Sequence, residues 1–260
     1  MIIVGERLNS SRKPVLDALE KKDEHFLLSE ALRQEEAGAH FIDLNTAALL
    51  EEEIERLEWA IPLLQKRLKV PLSIDTPNPE AMERGLEIHK GKAILNSLSF
   101  DREKVDRLLP CVKKKKPFII VLCLGEKGMP ASAEEELTVA LEMVSLLEEN
   151  GVKRNEIFID PLVHSLGVDQ KAALLFLESL ELIKKNVPGV KTIAGISNIS
   201  FGLPKRRLLN RSFLSLALYS GLDAAILDPL DSRLREELLA AQALLGKDPG
   251  LKNFISLVRK

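Results

Sequence analysis

The sequence predicts a closed (β/α)8 barrel, the TIM-barrel class, occupied by a single domain over residues 1–260. Three observations predict it. Eight short runs rich in Ile, Val and Leu alternate with eight charged segments of helical period from end to end, the pattern of parallel strands joined by helical crossovers. Eight such repeats is the count of a closed barrel, whereas doubly wound open sheets more often hold about five or six strands. A length of 260 residues also matches the usual size of that barrel.

In chain order the predicted strands are IIVGE (2–6), HFIDL (40–44), PLSID (71–75), AILNS (93–97), FIIVLCL (118–124), EIFID (156–160), KTIAGIS (191–197) and DAAILD (223–228). Each is short, apolar or β-branched, and closed by a polar or turn-forming residue. Helical stretches follow them near 24–37, 52–69, 79–89, 102–115, 133–150, 169–186, 205–220 and 232–246. Their ends carry local signals. Asn78 before Pro79 predicts an N-cap with proline at the first helical position. Ser132 with Glu135 three residues on predicts a capping box. The basic run Lys113–Lys116, just before Pro117, reads as favourable charge at a helix C-terminus in preference to an anion-binding patch. Neither a Gly-x-Gly-x-x-Gly element nor a P-loop is present, and no Pro-rich or Gly/Ser-rich linker marks an internal boundary.

Composition narrows the class further. Hydrophobic residues make up 45% and charged residues 29%, the balance of a globular protein. The formal net charge of −2 gives no electrostatic case for nucleic acid or an anionic membrane. No apolar run approaches the roughly 18 residues of a membrane span, and MIIVGERLNSS reaches Glu6 too early for a signal-peptide core. A cytoplasmic enzyme or binding protein is expected. Cys111 and Cys123 are too few for a disulfide framework and wrongly spaced for a Cys-x-x-Cys site, so both are expected as reduced thiols, Cys123 within the fifth strand.

A barrel of this class carries its site at the C-terminal ends of the strands. Those ends read Glu6, Asp43 with Asn45, Asp75, Asn96, Asp160, Asn198 and Asp228, with the fifth strand, near Leu124, the exception. Two readings stay open for each residue, because Asp and Asn also favour turns and helix caps. Capping suits Asp228, which precedes Pro229, better than it suits Asn96 or Asn198. No Lys or Arg ends a strand, the nearest being Arg7, Lys127 and Arg206. Carboxylates and carboxamides around one mouth suit a neutral heterocycle with several N–H donors and carbonyl acceptors, such as the N3–H and 2-amino edge of a pterin. No histidine ends a strand, which argues against zinc; oxygen-ligated Mg²⁺ stays open as the alternative. His164 reads as a loop residue: His164-Ser165-Leu166-Gly167 echoes a cobalamin-binding His-x-x-Gly core, but Leu162 stands where that motif has Asp.

GERLN (5–9), DLN (43–45), SIDT (73–76), ILNS (94–97), FIDPL (158–162) and GISNISFGLP (195–204), followed by LLNRSFL (208–214), run in order over nearly the whole chain. In these segments the chain resembles the pterin-binding methyltransferase family, which includes the methyltetrahydrofolate:corrinoid protein methyltransferases and the folate domain of cobalamin-dependent methionine synthase. The resemblance implies a barrel holding the pterin in its mouth. It implies Asp75, Asn96 and Asp160 as pterin ligands, contacts from Gly195 and Ser197, Asn198 beside N5 as the catalytic residue, and Arg206 nearby. Glu6, Asp43 and Asn45 carry over less directly. It further implies tetrahydrofolate or 5-methyltetrahydrofolate as substrate, a corrinoid (cobalamin) carried by a partner corrinoid-binding protein, no metal bound by this chain, and a homodimer. Phe201-Gly202-Leu203-Pro204 is closer to the methionine synthase folate domain than to the acetogenic enzymes, which leaves the identity of the corrinoid partner open. Direction of transfer also stays open, as do two rivals: a non-catalytic folate-binding subunit of a corrinoid assembly, and dihydropteroate synthase, whose usual opening motif is missing after the first strand.

Overall fold

The computed structural model describes residues 1–125 and 128–258; Lys127, named above as a nearby cation, lies outside the described residues. Eight parallel strands close into one barrel in sequence order: β1 (Ile2–Asn9), β2 (Phe41–Asn45), β3 (Leu72–Asp75), β4 (Ile94–Leu98), β5 (Phe118–Leu122), β6 (Ile157–Asp160), β7 (Lys191–Gly195) and β8 (Ala224–Leu227), with β8 pairing back onto β1. Around it lie α1 (Lys13–Glu20), α2 (Glu24–Glu36), α3 (Glu53–Gln65), α4 (Pro79–Ile88), α5 (Arg102–Lys115), α6 (Ala133–Glu149), α7 (Ala172–Asn186), α8 (Arg206–Tyr219), α9 (Ser232–Leu244) and α10 (Lys252–Ser256).

All eight predicted strands and all eight predicted helices are present, and the differences have local causes. α1, absent from the sequence reading, is two turns long, and its buried positions Val15, Ala18 and Leu19 give only one repeat of the helical period. β1 runs on to Asn9, with an irregular register against β2 between Gly5 and Leu8. β5 stops at Leu122, so Cys123 lies beyond the strand, although its N–H still donates to the Asp160 carbonyl at 2.9 Å. β7 stops at Gly195 and passes into a 3₁₀ turn over Ile196–Ser200. Both cysteines are free and buried.

The capping signals behave as chemistry requires. Asn78 accepts from the Glu80 and Ala81 N–H groups, and Ser132 Oγ accepts from Glu135 N–H. The return bond of the box falls one residue early, with Glu135 Oε2 accepting from Ala131 N–H at 2.8 Å. Lys113, Lys114 and Lys115 fill the last turn of α5. Among the described residues, no helix is long and apolar enough to cross a membrane.

The barrel interior is apolar at the bottom and polar at the top, and strand periodicity explains both. Val4, Phe41, Ile94, Ile120, Phe158, Ile193 and Ala224 form one buried cluster inside the barrel. The residues between them, such as Ile42, Leu72, Ile74 and Leu95, face outward and pack under the helices. Because successive side chains alternate, two residues beyond an inward apolar group is again inward and one layer higher. Val4 thus leads to Glu6, Phe41 to Asp43 and Asn45, Ile94 to Asn96, Phe158 to Asp160, Ile193 to Gly195 and Ile226 to Asp228. The floor is closed by Phe118, which meets Phe41 and Phe158 edge to face at 5.8 and 6.0 Å. Lys92 Nζ lies over the Phe118 ring at 4.3 Å. Each buried ring contributes about 1.5–3 kcal/mol through apolar burial, so the floor can hold a mouth whose own groups are costly to bury.

Candidate active site at the mouth of the barrel

The mouth has two unlike halves. On β2, β3, β4 and β6 stand buried or half-buried acids and amides that bond one another. Ser10 donates its hydroxyl hydrogen to Asn45 Oδ1 at 2.9 Å, which turns the Asn45 amide nitrogen toward Asp75. Asn45 Nδ2 then donates to Asp75 Oδ2 at 2.7 Å, and Asn96 Nδ2 donates to Asp43 Oδ1 at 3.1 Å. Asp160 accepts the Leu162 N–H at 3.0 Å, a local turn that fixes its carboxyl.

Burial governs the protonation of this half. Burial first, then the charge of neighbouring Asp75, holds Asp43 well above the ordinary carboxylate range. Burial also raises Asp75, but hydrogen bonds from Asn45 and Asp43 work the other way. Both carboxyls of the pair are thus held above the ordinary range, with Asp75 the one more supported by donors. Burial pushes Asp160 up to about 7. Acceptors that water no longer satisfies are poised to take N–H donors from a ligand.

The second half, on β7, β8 and β1, is open. Glu6, Ser197, Asn198 and Arg206 line a cavity of about 540 Å³ with Arg12 and Phe201. Ser197 Oγ donates to Glu6 Oε2 at 3.0 Å, and burial pushes Glu6 up to about 7. Arg206 donates to the Ser197 carbonyl at 2.8 Å and to Ser200 Oγ at 3.1 Å, bracing the 3₁₀ turn. Gly195 has a steric reason: a Cβ there would meet Asn198 Nδ2 at 3.0 Å, so the missing side chain leaves room for the Asn198 amide. Asn198 itself is exposed.

The cavity touches none of Asp43, Asn45, Asp75, Asn96 or Asp160. The sequence-predicted residues thus share one end of the barrel but form two clusters. Asp228 takes the turn role expected of it, accepting the Leu230 N–H at 3.0 Å, and it also pairs with Arg7 at 2.8 Å. Arg7 is committed to that pair and to Glu30. His164 lies in the irregular β6–α7 connection. The sequence reading missed Lys104, in the first turn of α5, whose charge acts on Asp75 and whose own pKa is lowered by burial. The available signal was its place three residues after the Asp101 N-cap. Among the described residues, no cluster of three or more His, Cys, Asp or Glu side chains could hold a metal ion.

The chain matches the family described as "Pterin binding enzyme" over residues 5–228, and it belongs to that family. It is 35% identical over 250 residues to the methylcorrinoid:tetrahydrofolate methyltransferase of Eubacterium limosum, covering 95% of this chain and 92% of that one. It is also 26% identical over 239 residues to the methionine synthase of Mycobacterium tuberculosis, where the match covers 87% of this chain but 20% of the longer protein. Among solved structures, dihydropteroate synthase from Xanthomonas albilineans in complex with 7,8-dihydropteroate superposes with a TM-score of 0.71 at 20% identity, covering 94% of this chain and 93% of that one. This last is a likeness of fold.

Proposed function

We propose that this chain is a methyltransferase that moves a methyl group between N5 of tetrahydrofolate and the cobalt of a corrinoid carried by a partner protein. The observation that carries the reading is the near end-to-end similarity, at 35% identity, to a protein named for that reaction. The name of that relative runs from methylcorrinoid to tetrahydrofolate. The mouth supports the reading, because buried acceptors on one side and an exposed carboxamide on the other suit a pterin held by its N–H edge with N5 left accessible.

The corrinoid supplies a cobalt centre that gives up or receives the methyl group. The remaining work belongs to this chain. Asp75 and Asp160 accept the pyrimidine N–H donors, Asn96 bonds beside them, and Asn45 and Asp43 hold Asp75 in place. Methylation of the N5 amine and its reversal both pass through positive charge on N5. A carboxamide is no strong acid, so Asn198 serves by accepting a hydrogen bond from protonated N5, a contact that strengthens as charge develops. Gly195 and Ser197 shape that turn, and Arg206 braces it. Glu6, poised near neutrality in the same cavity, is placed to exchange the proton with water.

The partner would dock on the mouth. Leu50, Val168 and Phe201, at 77%, 88% and 70% exposure, all stand in strand-to-helix connections at this end, as an apolar rim awaiting a second macromolecule would. Exposed Leu208, Leu216 and Tyr219 on α8 support a homodimer, which light scattering would read directly. A cytoplasmic setting accords with both thiols being free. The decisive assay mixes the protein anaerobically with 5-methyltetrahydrofolate and cob(I)alamin and follows the cobalt spectrum. Methylcobalamin formed in step with tetrahydrofolate supports the transferase. Tight folate binding with an unchanged spectrum, also with a corrinoid protein present, would leave a non-catalytic folate-binding subunit.

A further inference from the structure

The cavity beside Asn198 opens into a second trough of about 880 Å³, and Arg7, Arg206, Arg207, Asp228 and Asp231 line both. Its lining holds seven Lys or Arg residues against two carboxylates, although the chain as a whole carries a net charge of −2. The inner cations are already engaged: Arg7 by Glu30 and Asp228, and Arg211 by Asp231 at 3.1 Å. The outer ones are not. Among the described residues Lys205 and Arg233 enter no ion pair, and Arg207, 80% exposed, comes no nearer than 3.9 Å to Asp231. Lys205 also holds a positive φ of 52° just ahead of α8, a conformation that favours glycine.

The geometry points to this trough as a binding site for a chain of spaced carboxylates, the γ-linked polyglutamyl tail of a folate. The inference rests on the proposed function and deepens it. With the pyrimidine edge on the β3, β4 and β6 residues and N5 at Asn198 on the β7 side, the neighbouring C6 and its substituent leave the mouth over β7, β8 and β1. The trough begins there. Asp228 and Asp231 inside it disfavour a compact dense anion such as phosphate. Three rim cations on two different elements instead match single negative charges set apart along a flexible chain, each taken by an exposed ammonium or guanidinium. Such contacts are individually weak, and they act together because the pterin anchors the tail at high local concentration.

The test compares mono- and pentaglutamyl tetrahydrofolate by calorimetry at low and high salt, with the wild-type chain and with Lys205→Gln, Arg207→Gln and Arg233→Gln combined. Wild-type protein should bind the pentaglutamyl form about tenfold more tightly, with the advantage shrinking as salt rises. The triple variant should lose the advantage, with pentaglutamyl affinity falling about tenfold further than monoglutamyl affinity. Equal affinity of the two forms for the wild type, or an advantage retained by the triple variant, overturns the inference while leaving the folate reading intact. A triple variant that retains the tail advantage but slows methyl transfer with a corrinoid protein likewise overturns it, and assigns the trough to the partner. Failure of the wild type to bind either folate removes this inference and the proposed function together.

Discussion

The two halves of the mouth use the same residue types for opposite ends. Around β2, β3, β4 and β6, carboxyl and amide groups are largely withdrawn from water and tied to one another, so their orientation is set before any ligand arrives. Around β7, β8 and β1, Asn198 is exposed, Glu6 faces a cavity, and arginines fan outward. The first half stores desolvation cost that N–H donors of a ligand can relieve. The second leaves Asn198 and Arg206 exposed, open to a reacting atom, a tail or a partner. On the proposed function, that difference separates binding from chemistry by strand rather than mingling them at every strand end.

Substitutions can break that separation. The largest effect is expected for Asn198→Ala, which should lower single-turnover methyl transfer by roughly two to three orders of magnitude and leave equilibrium folate binding nearly unchanged. Asn198→Asp should retain more activity than alanine, because a carboxylate also accepts a bond from protonated N5. If binding falls in proportion to rate, Asn198 is an ordinary ligand and the two halves do one job.

Next in size, Asp75→Ala or Asp160→Ala should weaken folate binding by about 2–4 kcal/mol each, since ligand donors are left unpaired in a dry site. Calorimetry on a variant of normal circular dichroism checks it; unchanged affinity would return these residues to a turn-forming role.

The same half should give affinity a pH dependence. Asp160, held near 7 by burial, must be ionised to accept N–H donors, so affinity is full above pH 7 and weakens by up to about tenfold per unit as pH falls below it. Asp160→Asn should bind weakly with a flatter profile. A wild-type profile flat from pH 8 to 5.5 would remove Asp160 from the contact.

The smallest effect lies behind the mouth. Glu136 on α6 is fully buried, and neither of its carboxyl oxygens has a hydrogen-bond partner; the adjacent Ser179 gives its hydroxyl hydrogen to the Leu175 carbonyl at 2.9 Å. Burial raises Glu136 to about 8. A carboxyl raised in the folded state contributes its stability below its unfolded pKa, near 4.5, and loses it as pH climbs through 8. Glu136→Gln should therefore stabilise by about 1–3 kcal/mol at pH 8, several degrees in Tm, with the gain fading toward pH 4.5. Thermal melts across pH measure it, and a gain independent of pH would point to packing rather than charge.

The barrel was legible in the chain because its signals are local. Alternation inside each strand, helical period between strands, and caps at Asn78 and Ser132 need only near neighbours. The same period put Glu6, Asp43, Asp75, Asn96 and Asp160 at the mouth, one layer above the apolar floor. α1 escaped because two turns carry too few repeats, and the 3₁₀ turn after β7 escaped because Ile196 and Ser197 read as the end of that strand.

What the sequence determined by itself, then, was the fold and the polar residues gathered at one end of the barrel. Only the tertiary structure decided how those residues divide. That Asn45 turns its amide to Asp75, that burial raises Asp43, that Lys104 lies within reach of Asp75's charge and that Arg7 is spent on Asp228 are all consequences of tertiary packing. The last of these joins residues 221 positions apart. Hydrogen-bond direction and protonation depend on burial and on distances between strands, and neither exists until the strands have paired and the helices have covered them.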